Sequence, residues 1–404
     1  MKCLMFGLAC GKERFDRYVR EHNSPFSVAH YIFEKSFIDE LEETYPVYHN
    51  YIYQSGNTSL KAAKVRSEEE NITEKTKTRT LGFLNLPLIK FVSLFFSTCR
   101  RIKQFHKENG DGFFILSSIN YFPVALAARR MSRKYGVKNV IIFTDCSVGY
   151  GYDQTSGNKL KDLARKKYKS IIHSMEKDYD AYVLFSEPMN ELVNPMNKPF
   201  CVMEGFFDPS GLDLTPCAKN EKFVVLYGGS ILESFSIQNI VRAVKQINDE
   251  RVELWIAGDG PYLDELKKLA GDDKRIKFLG FVSRNTLFEY EKQASLLINA
   301  RNPMDAYTKY SFPSKTFEYL ASGTPFASTK LGCYTDEYNG KLMLLENNQP
   351  ETVAEAIRSA LSMDRDELEA FGKESKEFVM TRKRPDVQTA KVIEFLNEIL
   401  GKEE

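Results

Sequence analysis

Hydrophobic positions along this chain follow two alternating rhythms. Short, almost continuous apolar runs read as buried strands, and longer stretches with an apolar residue every third or fourth position read as helices. In the first half, strands are predicted at residues 2–8, 48–54, 113–118, 139–144 and 181–185. Helices are predicted at 26–42, 88–108, 124–135 and 160–179, with a polar loop between the first strand and the first helix. Residues 55–80, with Glu68-Glu69-Glu70 and a polar run to Thr80, read as a long loop or partly disordered insertion. Residues 206–220 break the rhythm with Asp208-Pro209, Gly211 and Pro216, and read as a linker. Beyond it the alternation restarts, with strands at 223–227, 252–257, 276–279 and 296–299 and helices at 237–248, 263–269, 284–293 and 315–322. A last helix covers 387–400. Strand–helix alternation on both sides of a linker predicts an α/β fold of two doubly wound, Rossmann-like domains, residues 1–205 and 221–385.

Composition narrows this picture. A chain of 404 residues suits two cores of about 200 residues each. With 43% hydrophobic and 27% charged residues it has the balance of a soluble globular protein. The formal net charge is +1, from 56 basic and 55 acidic residues, so no global field favours nucleic acid. Seven scattered cysteines without a Cys-x-x-Cys pair argue for free thiols in a reducing cytoplasm, and against a disulfide frame or zinc site. The five histidines show no metal-ligand spacing, and no Asp-x-Asp metal motif stands in a suitable loop, so no essential metal or cofactor is expected. The apolar start ending in Leu8-Ala9-Cys10 superficially suggests a lipoprotein signal. It is too short and carries Gly7 where such a signal wants leucine, so residues 2–9 read as a first strand. No apolar run approaches the length of a membrane span.

The most informative stretch is Ser311-Phe312-Pro313-Ser314-Lys315-Thr316-Phe317-Glu318-Tyr319-Leu320-Ala321-Ser322-Gly323-Thr324-Pro325. It places a helix start near Pro313 and a helix end at Gly323, directly after the buried run 294–300. A helix N-terminus offers unpaired amides and a positive dipole end, a seat for a phosphate. Lys315 adds a cation, and Glu318, one turn on, can accept hydrogen bonds from sugar hydroxyls. The alternative for Glu318 is an exposed helix glutamate paired with a neighbouring cation. Gly228-Gly229-Ser230 after strand 223–227 would let a phosphate or sugar approach the backbone, or simply make a turn. Gly258-Asp259-Gly260-Pro261 is either a ligand-contacting turn or a tight turn with a cap. Arg301, directly after strand 296–299, can reach diphosphate oxygens or lie at the surface.

The pattern Ser-x-Pro-Ser-Lys-x-x-Glu-Tyr-x-Ala-x-Gly-x-Pro resembles the donor-site signature of bacterial glycosyltransferases of the two-domain GT-B fold, close to glycosyltransferase family 4. The resemblance covers residues 222–360 well and the N-terminal half loosely. It implies two domains facing a cleft, with the C-terminal helix, residues 386–404, packing back on the N-terminal domain. It also implies a nucleoside-diphosphate sugar as donor. Glu318 would hold the ribose, Ser311, Phe312, Pro313, Ser314 and Lys315 the diphosphate, and Gly228, Gly229 and Gly258 would line it. The loop Gly280-Phe281-Val282 would receive the base. Two departures stand out: Ile231-Leu232-Glu233-Ser234 lacks the arginine and lysine that many relatives carry there, and Tyr310 stands where many carry a second glutamate. The first leaves Arg301 or Lys315 to supply the charge. Retention of anomeric configuration is implied, with the sugar ring held differently because of Tyr310.

The acceptor side carries fewer signals. Asp145, at the end of strand 139–144, is a candidate base or acceptor-orienting acid, or a cap. Asn120-Tyr121 ends strand 113–118 in a similar way. Ser27 and His30 lie in the helix that faces the acceptor in relatives, though His30 also suits an ordinary helix position. Residues 86–107 are rich in Phe and Leu and finish basic, with Lys90, Arg100, Arg101, Lys103 and Lys107. They form either a peripheral membrane contact, suited to a lipid-linked acceptor, or a core helix with a solvated end. The reading is a glycosyltransferase, either free in the cytoplasm or at the inner membrane face, with Asp145, Arg301 and Lys315 as catalytic candidates and a saccharide or lipid-linked hydroxyl acceptor. A non-catalytic nucleotide-sugar-binding partner and a nucleotide-sugar epimerase are the alternatives.

Overall fold

The computed structural model describes residues 1–20, 28–52, 63–86, 89–145 and 159–401. The chain divides into two units, Met1–Gly205 with Pro385–Glu404, and Phe206–Arg384. Among the described residues no helix is long and apolar enough to cross a membrane.

Among the described residues the first unit contains ten strands: β1 (Lys2–Gly7), β2 (Val47–Tyr51), β3 (Lys64–Val65), β4 (Glu69–Asn71), β5 (Lys77–Thr80), β6 (Phe83–Leu84), β7 (Phe113–Ser117), β8 (Asn139–Phe143), β9 (Ala181–Leu184) and β10 (Phe200–Val202). Eight of them form one sheet in the order β10-β9-β8-β7-β1-β2-β5-β4, and β3 pairs with β6 apart from it. Every neighbouring pair in the large sheet is parallel except β4 with β5. Strands β7, β8 and β9 are buried along their whole length, which is why they read as unbroken apolar runs. Helix Pro385–Ile399 packs on helix Val28–Leu41 and on β10. Tyr45 Oη donates to Asn397 Oδ1 at 2.5 Å in that contact.

Two expectations fail in this unit. The polar stretch after β1 holds helix Lys12–Arg20, stabilised by a Lys12–Asp16 pair one turn apart and by Phe15 stacked on Tyr31 at 3.6 Å. The described part of the supposed loop 55–80 forms strands instead. In β5, Thr78 and Thr80 are buried between Lys77 and Arg79, a period-two pattern carried by threonine and so invisible to a search for apolar residues.

The second unit contains β11 (Phe223–Gly228), β12 (Val252–Ala257), β13 (Ile276–Gly280), β14 (Leu296–Asn299), β15 (Phe326–Thr329) and β16 (Met343–Leu345). They form one parallel sheet in the order β13-β12-β11-β14-β15-β16. The winding reverses between β11 and β14, and ligands of such sheets bind beyond the carboxyl ends of the two strands at that reversal. Residues 206–220 contain no helix or strand and are pinned to this unit. Arg284 Nη2 donates to Asp208 O at 2.7 Å, and Lys292 Nζ donates to Asp213 O and Thr215 O at 2.9 Å each.

Candidate functional site

At the reversal, β11 ends in Gly228-Gly229 and β14 ends in Asn299, followed by Ala300-Arg301. Helix Lys315–Ser322 starts beside both. It is fixed to β11 through one hydroxyl: Tyr319 Oη accepts from Gly228 N at 2.7 Å and donates to Gly228 O at 3.2 Å. The helix stops at Gly323, whose left-handed φ of 77° closes its last turn.

Lys315 stands out in this arrangement. Its Nζ is sealed from solvent, lies 3.9 Å from the centroid of the Tyr227 ring, and has no hydrogen-bond partner among the described residues. Burial, and then the neighbouring Arg301 charge, push it well below the ordinary lysine value, while Glu291 opposes them. Arg301 is itself buried, with its guanidinium 4.2 Å from the Phe235 ring centroid and 5.9 Å from that of Tyr307. Two cations therefore share one partly dry site at the strand ends, an arrangement that an arriving polyanion would relieve.

The glycines sort into two kinds. Gly229 has φ +133° and faces Lys315, since a Cβ there would lie 2.9 Å from Nζ. Gly258, with φ +141°, is backed onto the first turn, and a Cβ there would meet Gly229 O at 1.9 Å. Of the two readings of the Gly258–Gly260 turn, close backbone packing is the one this geometry accounts for. The amides of Gly229 and Thr316 already donate, to Ala257 O and Pro313 O at 2.9 Å each, so the lysine and arginine carry most of the positive character.

Glu318 sits half-buried one turn into the helix, with Oε1 held by Arg284 Nε at 2.5 Å. Its Oε2 has no partner among the described residues. The helix glutamate thus pairs with a cation, an arginine from another helix, and keeps one oxygen free for a ligand. Ser311 and Pro313 are buried and Ser314 is exposed. Phe312 stacks on Phe317 at 5.0 Å within an aromatic cluster with Tyr334 and Tyr338, which leaves only its backbone for a ligand. In the loop after β13, Phe281 is 56% exposed, Val282 half-buried, and Gly280 O accepts from Gly258 N at 2.8 Å.

Three participants escape a reading of the sequence. Arg284 orients Glu318. Glu291 is buried beside Lys315, with Oε2 lacking a hydrogen-bond partner, and burial and the Glu318 charge raise it well above the ordinary glutamate value. The side-chain amide of Asn299 is buried, with neither atom hydrogen-bonded. For Glu291 a signal existed: it falls three residues after buried Phe288, on the apolar face of helix Arg284–Gln293.

The candidates of the first unit scatter. Ser27 lies outside the described residues. Asp145 is exposed just past β8. Asn120 Oδ1 accepts from Tyr179 Oη at 2.9 Å, and Tyr121 precedes helix Phe122–Tyr135. His30 Nε2 lies 3.2 Å from Glu34 Oε2. The fully buried Glu34 also accepts from Leu8 N at 2.8 Å and pairs with His49 Nε2 at 2.7 Å, while His49 Nδ1 meets Thr78 Oγ1 at 2.7 Å. His30 therefore belongs to a buried polar chain. Burial pushes the Glu34 value up, but the hydrogen bonds and charges of His30 and His49 together outweigh it and hold the carboxylate ionised far below the ordinary glutamate value. Among the described residues no group of three or more His, Cys, Asp or Glu is placed to hold a metal ion.

Comparison with known proteins bears on the fold and on residues 222–363. Residues 222–363 match the family of glycosyl transferases group 1. A stretch of 151 residues is 28% identical to the putative colanic acid biosynthesis glycosyl transferase WcaI of Escherichia coli (strain K12). That match covers 35% of this chain and 36% of WcaI, so the chain spans about a third of that curated relative. Over its whole length the chain is similar to sucrose-phosphate synthase from Thermosynechococcus elongatus, with TM-score 0.67, 14% identity and full coverage of both chains. It is also similar to Anabaena HepE in complex with UDP, with TM-score 0.63 and 12% identity over 98% of this chain and all of that one. The lipopolysaccharide outer core galactosyltransferase WaaB gives TM-score 0.63 and 15% identity with full coverage. These likenesses show the fold, two Rossmann-like domains of the GT-B kind, and residues 222–363 within it form a group 1 glycosyl transferase domain.

Proposed function

We propose that this protein transfers a sugar from a nucleoside diphosphate to a hydroxyl acceptor, as a family 4 glycosyltransferase of surface polysaccharide or glycolipid assembly. The observation that carries this reading is the buried, unpartnered Lys315 Nζ beside Gly229 and Arg301 at the sheet reversal. A diphosphate there gives the lysine its missing counter-charge, and Glu318 Oε2 lies one turn away for the ribose. UDP is the first nucleotide to test, because HepE is seen with UDP.

In this reading the protein positions its substrates and neutralises the departing diphosphate with Lys315 and Arg301, while Asp145 orients the acceptor hydroxyl. The anomeric configuration is retained and no metal is required. The site of action is the cytoplasmic face of a membrane. Ile89, Val92 and Phe96, exposed at 48%, 57% and 61%, share one face of helix Ile89–Asn109 and would rest in the lipid interface. Residues 87–88 of that basic stretch lie outside the described residues.

The test is a thermal-shift screen of the intact chain with UDP-, GDP-, dTDP- and CMP-sugars, repeated with Glu318→Ala. A bound donor raises the melting temperature by mass action. One nucleotide class should stabilise the wild type and lose that effect in the variant. A second reading, a non-catalytic nucleotide-sugar binder, draws on the Arg284–Glu318 pair and on Tyr310 in place of an acid. Turnover of any donor excludes it, and absence of any shift counts against both readings.

A further inference from the structure

The first unit holds a cavity of about 710 Å³ between the β3–β6 pair, β5 and helix Ile89–Asn109. Among the described residues its wall carries Lys64, Arg66, Arg79, Arg100 and Arg101 and not one carboxylate. In a chain of net charge +1, five cations around one hollow form a local concentration of charge that composition alone does not reveal. Lys64, Arg66 and Arg100 make no ion pair among the described residues. Arg79 reaches one acid, Glu69, at 3.3 Å.

Arg101 is held in place. Its Nε donates to Asn50 Oδ1 at 2.9 Å, and its guanidinium carbon lies 5.5 Å from the Phe105 ring centroid. Asn50 is fully buried in β2, and its Nδ2 donates to Met5 O at 3.0 Å and Tyr48 O at 3.1 Å. Those two bonds leave Oδ1 as the acceptor for Arg101. A buried amide is thus committed to holding one arginine by its inner nitrogen, while Nη1 and Nη2 make no hydrogen bond among the described residues. Burial and the adjacent Arg79 charge both disfavour the charged form of Arg101. Pre-organised like charges with free donor pairs need an anion, and the fork of a guanidinium matches phosphate oxygens. Ser67 and Ser97 on the same wall add hydroxyl donors.

We infer that this cavity is a second anion site, which binds the phosphate or diphosphate group of a ligand other than the nucleotide. Binding itself does not depend on the proposed transferase activity. Its use for an acceptor presented by its phosphate does rest on that reading. The apolar face Ile89, Val92 and Phe96 runs beside the cavity-lining positions Ser93 and Ser97, which suits a phosphate carried on a lipid.

The test is calorimetric titration of inorganic pyrophosphate into the intact wild type, Arg101→Gln, Arg100→Gln and Lys315→Met. Arg101→Gln should weaken binding about tenfold, and Arg100→Gln, whose exposed side chain puts no fold at risk, a few-fold. Lys315→Met should leave this binding step intact. Saturation unchanged by both arginine variants, loss only in Lys315→Met, or no saturable binding overturns the inference. If the arginine-dependent step appears while no nucleotide shifts the melting temperature, the anion site stands and the donor reading falls. Flotation with phosphatidylcholine vesicles, with and without phosphatidic acid, separates the sources. Arginine-dependent capture by the acidic vesicles assigns a lipid phosphate, and pyrophosphate binding without capture assigns a soluble one.

Discussion

The two units build their polar sites by opposite means. In the second unit the site is made mainly of contiguous chain: a strand end, a glycine pair, and the first turn of a helix whose residues follow one another from Ser311 to Glu318. In the first unit the polar centres are assembled from distant side chains. Glu34 meets His49 fifteen positions on, and Asn50 meets Arg101 across 51. A site built on backbone geometry should fail when the backbone is disturbed. One built on side-chain networks should fail when a single acceptor is lost.

The largest expected effect tests the first half of that contrast. Gly258→Ala puts a Cβ 1.9 Å from Gly229 O on a backbone with φ +141°, and neither carbonyl nor sheet can yield without moving the turn after β11. A loss of about 4 kcal/mol or more is expected, confined to the second unit. Hydrogen exchange should show β11 and β12 deprotected while β7 and β8 stay protected. Near-wild-type exchange in β11 would show that the two turns have room to separate.

A smaller loss is expected from Glu34→Gln. The amide keeps the shape and one oxygen but puts an NH2 donor in place of the other, so that either Leu8 N or the His49 side loses its acceptor, at a cost of about 2–3 kcal/mol. The carboxylate also sets a pH dependence. Its value in the folded chain lies below that in the unfolded chain, so its stabilisation is complete above about pH 4.5 and is lost as the pH falls below that. Urea unfolding at stepped pH should give a flatter acid limb in the variant than in the wild type. Parallel limbs would show that Glu34 is not the group responsible.

This contrast also explains what could be read from the sequence. The parallel sheets were legible because strands buried on both faces are apolar without interruption, as in β8 and β14. Lys315 and Glu318 were legible because helix signals bracket them within one short stretch. β5 was hidden because its buried face is threonine, and helix Lys12–Arg20 because six of its nine residues are charged. Glu34, Glu291, Asn299 and Asn50 were hidden for a deeper reason. Each is a polar residue in a buried setting, and whether a partner reaches it depends on how other elements pack around it. Only the fold says whether such a residue is satisfied, as Glu34 and Asn50 are, or left waiting, as Glu291 and Asn299 are.

Lys315 gives the finest test of the comparison, because its buried ammonium in the second unit has neither a hydrogen bond nor an ion pair among the described residues. If it is held there for a diphosphate, its removal should improve the empty protein and damage the loaded one. Lys315→Met should raise stability by about 1 kcal/mol, since a buried charge without a partner is replaced by an apolar side chain of similar length. The same change should weaken UDP binding about tenfold. The charge also makes a prediction about protons. In the empty protein burial and the Arg301 charge hold Lys315 well below the ordinary lysine value, so it gives up its proton more readily than a free lysine. A diphosphate favours the ammonium form and raises that value again. Binding therefore takes up protons between the two values, and affinity falls as the pH rises through that interval. Calorimetry in buffers of different ionisation enthalpy should show net uptake in the wild type and none in Lys315→Met. Equal uptake in both would assign the proton to another group, with Glu291, the buried acid beside it, the first to replace.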